Sequence, residues 1–92
     1  MSKYIVTNPA TGESGAPYAQ DSDAQISAAI EAAHNTYQNW SKKTTVAQRA
    51  ALIEKVAELH RERREELAEI IVREMGKPLA QALGEVDFTA DI

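Results

Sequence analysis

A mainly helical chain, opened by a short hairpin-like head, is the fold class this sequence predicts. Two observations carry that reading. Apolar residues recur at helical spacing in four blocks after Ser22, and turn-forming residues crowd the stretch before it. Size supplies a third constraint. With 92 residues the chain is one domain at most, and a chain this short buries only about 60–65% of the surface its unfolded form exposes.

Residues 1–21 form the head. Its punctuation is Asn8-Pro9, Thr11-Gly12-Glu13-Ser14-Gly15 and Pro17. Two extended candidates flank the Gly-containing turn, Tyr4-Ile5-Val6-Thr7 and the run from Ala16 to Gln20, which together suggest a β-hairpin. Pro9 biases Asn8 towards extended geometry. Two short strands are marginal in water, so the hairpin needs a surface to lie on.

Residues 22–92 form the helical body, with four amphipathic helices expected. Ser22 followed by Gln25, and Thr45 followed by Gln48, are capping-box pairs that start the first two. The first helix places Ile26, Ala29, Ile30, Ala33, Tyr37 and Trp40 on one face. The second carries Leu52, Ile53, Val56 and Leu59, with His60 at the stripe's edge. From His60 to Glu66 no apolar side chain occurs, which predicts a break or a solvated turn. Arg61–Glu65 and Glu69–Arg73 are at the spacing of helical ion pairs. The third helix is expected to bury Leu67, Ile70, Ile71 and Met75. Gly76 is expected to end it in the left-handed conformation, and Pro78 suits the first turn of a fourth helix. That helix aligns Leu79, Leu83, Val86 and Ala90. Ile92 falls inside this last pattern with no stop signal after it, so the chain is expected to be part of a longer protein.

Composition narrows the function classes. Fourteen acidic against ten basic residues leave a net charge of −4, which argues against nucleic acid or an anionic membrane as partner. No apolar run is long enough to cross a bilayer. Met1-Ser2-Lys3-Tyr4 lacks the apolar core of a secretory signal, so a cytoplasmic location is expected. The chain has no Cys, which removes disulfides, thiolate zinc sites and a cysteine nucleophile from it.

Few side chains suggest chemistry. His34 and His60 lack a second ligand at metal spacing and read as helix-flank residues. Glu85 and Asp87 form an acidic pair near Gly84, most simply a solvated helix turn. Gly76-Lys77-Pro78 lacks the upstream glycines of a phosphate loop, and Pro78 has no N–H to offer. Lys77 beside a helix cap is expected in solvent rather than in the buried setting of a Schiff-base lysine. Tyr37 and Trp40, at helical spacing, read as core rather than as a stacking platform. No catalytic, cofactor-binding or metal-ligating residue is assigned.

The motifs taken in order resemble those of a known family. Asn8-Pro9-Ala10-Thr11-Gly12-Glu13 is similar to the turn near the N-terminus of NAD(P)-dependent aldehyde dehydrogenases. Trp40 closing a helix, Arg49 in a Leu/Ala-rich helix and Glu65-Glu66-Leu67-Ala68 follow in the family's order. Glu74-Met75-Gly76-Lys77-Pro78-Leu79 and Gly84-Glu85-Val86-Asp87-Phe88 complete it, the former resembling the succinate-semialdehyde dehydrogenase branch. The likeness spans essentially the whole chain.

That resemblance implies an α/β parent several times longer, oxidising an aldehyde through a cysteine thiohemiacetal, with hydride transfer to NAD or NADP and deacylation under a glutamate base. Those catalytic groups belong to motifs that this chain does not contain. It also implies that residues 22–92 brace the parent's cofactor-binding domain, that the parent is a homo-oligomer, and that Glu85 or Asp87 could correspond to a carboxylate holding a structural cation. No cofactor is expected on this chain itself. Two functional classes follow: an enzyme segment inactive alone, whose partner is the remainder of its dehydrogenase, or a free-standing helical interaction module.

Overall fold

The computed structural model describes residues 3–92. Four α-helices follow an irregular head: α1 (Asp23–Asn39), α2 (Val46–Glu62), α3 (Arg64–Met75) and α4 (Leu79–Asp91). A 3-10 turn, Ser41–Lys43, joins α1 to α2.

Local chemistry sets the boundaries. Ser22 Oγ accepts from the Gln25 amide while Gln25 Oε1 accepts from the Ser22 amide, and Thr45 and Gln48 repeat the arrangement. Each box satisfies donors that a helix start would otherwise leave open. The apolar gap after His60 holds the α2–α3 junction at Arg63 (φ −101°, ψ 22°). Arg49 Nη1 donates to the carbonyls of Ser41 (3.1 Å) and Thr44 (2.7 Å), tying the connecting turn to α2. Gly76 sits at φ 71°, a conformation glycine adopts without the strain a Cβ brings. Pro78 precedes α4 as its cap residue, one position before the helix rather than within its first turn.

The hairpin is not formed as two strands. Among the described residues the head shows one antiparallel bridge, Thr7 with Ser14. Asn8 donates to Glu13 (2.8 Å) and Gly15 to Val6 (2.9 Å). In that register Tyr4 would pair next with Pro17, which has no N–H. Tyr18 donates to Tyr4 instead, at 2.7 Å. The slip of one residue ends the ladder before strands develop. The turn itself is well bonded: Ala10 N donates to Asn8 Oδ1, Gly12 N to Asn8 O, and Gly12 takes φ 77°.

The core is small and sits between α3 and α4. Ala68 and Ala82 are both 0% exposed, with Val86 and Ala90 nearly so. Leu67, Ile71, Val72 and Leu83 pack around them, half-buried. The expected stripes of α3 and α4 therefore face the core, with incomplete membership, while the expected stripes of α1 and α2 are exposed. Small residues are the most deeply buried at the α3–α4 contact, whereas Met75 and Leu79 lie in solvent. Among the described elements α4 packs on α2 as well as α3, while α1 meets the turn that follows it and no other helix.

The molecule is flat and open. Its extents are 48 × 37 × 15 Å and its radius of gyration is 17.7 Å, against about 12 Å for a compact chain of this length. Its accessible surface is 7483 Å², where a compact monomer of this mass exposes about 5,300 Å².

Candidate functional site

The apolar stripes that the helices present to solvent are the most conspicuous chemistry on the molecule. On α1, Ile26, Ile30 and Tyr37 are exposed, with Ile30 at 66%, and Trp40 at its end is 43% exposed. On α2, Leu52, Ile53, Val56 and Leu59 are exposed too. Tyr37 and Trp40, expected in the core, thus lie on its outside. An amphipathic helix has a face built for burial, and among the described residues no other helix packs over α1 to receive it.

Ion pairs lash α4 to its neighbours. The Arg64 guanidinium grips Asp87 through two bonds, 2.6 and 2.9 Å. Hydrogen bonding from Arg64 holds the Asp87 carboxyl below the usual carboxylate range, with partial desolvation opposing and charge attraction adding. Lys77 Nζ reaches Glu85 Oε2 at 2.7 Å. Arg61 donates to the Ala90 carbonyl and to Asp91, at 3.3 and 3.4 Å. At the α2–α3 junction Arg63 bonds Glu66 twice and lowers its carboxyl likewise. The expected intrahelical pairs give way to these: Arg61 turns to Asp91 rather than Glu65, and Arg73 lies 3.9 Å from Glu74 rather than beside Glu69. For Arg61 a tertiary partner displaced a pair worth only tenths of a kcal/mol.

The residues weighed as chemical candidates separate in space. Glu85 and Asp87 face different cations and are each engaged by one. Among the described residues no three His, Cys, Asp or Glu side chains gather as a metal site. His34 is exposed, and His60 Nδ1 lies 2.8 Å from the Val56 carbonyl of its own helix. A dinucleotide does not fit the one Gly-Lys corner. Lys77 is held by Glu85, and Pro78 stands where a phosphate-binding loop needs an amide. No helix among the described residues is long and apolar enough to cross a membrane.

Two of the motifs do converge. A Cβ built on Gly76 would lie 2.7 Å from Pro9 Cγ, so the Pro9 ring rests against the corner between α3 and α4. The Asn8–Glu13 turn and the Glu74–Leu79 corner thus adjoin, although 60 and more residues separate them in the chain. A shallow groove runs beside the contact, lined by Val6, Ser14, Tyr18, Arg73 and Glu74 among others.

Comparison with known proteins places this arrangement. Residues 1–92 match the aldehyde dehydrogenase family throughout. The chain is 42% identical over 89 residues, 97% of its length, to a succinate-semialdehyde dehydrogenase [NADP(+)] of Deinococcus radiodurans, of which it covers 18%. It is 41% identical over 83 residues, 90% of its length, to a 3-sulfolactaldehyde dehydrogenase of Pseudomonas putida, covering 17% of that protein. A solved structure described as "Structural insights into cofactor and substrate selection by Gox0499" superposes with a TM-score of 0.93 at 33% identity. The match takes in 99% of this chain and 20% of that one. The chain therefore spans less than a fifth of either dehydrogenase. On its match from end to end and its similarity to these relatives, the chain belongs to the aldehyde dehydrogenase family.

Proposed function

We propose that residues 1–92 are the N-terminal structural segment of a longer, oligomeric, cytoplasmic NAD(P)-dependent aldehyde dehydrogenase. The parent oxidises succinic semialdehyde or a similar small aldehyde to the acid, and this segment braces its cofactor-binding domain without taking part in the chemistry. The observation that carries the proposal is the excess of exposed surface. The chain exposes roughly 2,200 Å² more than a compact protein of its mass, and obligate interfaces run from about 2,000 Å² upward. The exposed apolar faces of α1 and α2 contribute to that excess, and the rest of the dehydrogenase is the partner proposed to cover them. The semialdehyde reading rests on the names of the relatives, among them succinate-semialdehyde dehydrogenases of Deinococcus radiodurans and Oryza sativa.

The test is the natural translation product that contains these residues, assayed with succinic semialdehyde and each nicotinamide cofactor. Reduced nicotinamide is expected to accumulate with that product and not with residues 1–92 alone. A reading frame that stops at Ile92 and yields a compact, monodisperse 10.1 kDa protein would overturn the proposal.

A further inference from the structure

Residues 3–20 run over the α3–α4 corner with little pairing of their own. Among the described residues their strand pairing is one bridge, Thr7 with Ser14, and the slip forced by Pro17 stops the ladder. Further bonds gather at the Asn8–Glu13 turn and join Gly15 to Val6 and Tyr18 to Tyr4. A two-stranded ribbon of this size is marginal in water, so something outside it supplies its order. Gly76 offers the anchor. Its missing side chain leaves a space, and Pro9 fills it: Cγ would stand 2.7 Å, and Pro9 Cβ 3.5 Å, from a Cβ at position 76. The Pro9 ring is closed onto its own backbone, so it cannot swing aside as a long side chain would. Asn8 Oδ1 and the Asn8 carbonyl hold the turn that presents the ring, through the amides of Ala10 and Gly12. Gly76 is thus constrained twice, by its left-handed backbone and by the ring against it.

We propose that Pro9 and Gly76 form a latch: their contact, rather than strand pairing, fixes residues 3–20 on the α3–α4 corner and shapes the groove between Tyr18 and Arg73. The latch couples the order of the head to a corner more than sixty residues away. It stands on this contact and is independent of the enzymatic reading.

The experiment is hydrogen exchange on the natural translation product, comparing Pro9→Ala, Gly76→Ala and the double variant. In Pro9→Ala the amides of Asn8, Gly15 and Tyr18 are expected to exchange at least roughly tenfold faster, while those of Ala82 and Val86 keep their rates, because local opening need not involve the rest of the fold. Gly76→Ala is expected to release the same three amides, and to release them no further once Pro9 is already Ala. Unchanged exchange at all three amides in Pro9→Ala would overturn the latch. So would acceleration equal to that in α4, which reports a general loss of stability, or two releases that simply multiply in the double variant. Should Gly76→Ala fail to fold, the Pro9→Ala comparison decides alone.

Discussion

Placing Asp at Ile30 or Ile53 is expected to destabilise the intact translation product by about 3–5 kcal/mol each, the range for a buried charge left without a partner. In residues 1–92 alone the same substitutions should change helix content little. Both side chains are 66% exposed there, and a carboxylate in water carries no such penalty. The contrast between the two settings is the informative part. Denaturant midpoints for the intact product and helical circular dichroism for the short chain would measure it. Equal, small effects in both would mean that nothing covers α1 and α2.

The second large effect is expected at the α3–α4 contact. Ala68 and Ala82 are fully buried in the cluster between α3 and α4. Ala82→Leu adds three carbon atoms where close packing leaves no room. The expected loss is about 1–3 kcal/mol, read as a lower urea midpoint at unchanged slope. The grip of Arg64 on Asp87 spans the same pair of helices and should loosen with it. A stability equal to wild type would show that the corner packs less tightly than its burial indicates.

What was legible in the sequence was local. Ser22 with Gln25 and Thr45 with Gln48 announce their helices because each box is closed within four residues. Gly76 as a left-handed stop, and the break within the apolar gap after His60, depend on equally short stretches. Periodicity also gave the buried face of α3 and α4, where Leu67, Ile71, Leu83, Val86 and Ala90 turn inward. It could not say whether a stripe has a partner, and so Trp40, Tyr37, Met75 and Leu79 stand in solvent although their spacing suits a core. The deepest burial fell to Ala68 and Ala82, whose signal is only the absence of bulk. The head failed as a hairpin through one missing N–H at Pro17, visible only once the register is known. Arg64 with Asp87 and Arg61 with Asp91 join residues 23 and 30 positions apart, and many other cations and carboxylates could have paired as well. The candidate surface itself was foreshadowed by a resemblance running through most of the chain. That resemblance also implied that the chemistry belongs to motifs this chain does not contain.

Residues 1–92 are proposed to serve by covering and being covered by the rest of an aldehyde dehydrogenase chain. Co-expressing residues 1–92 and the remainder of the translation product as two separate polypeptides tests it most directly. A stable one-to-one complex with aldehyde oxidation restored is expected, with no activity from either piece alone. A remainder that is soluble and fully active by itself, with residues 1–92 unbound, would contradict it.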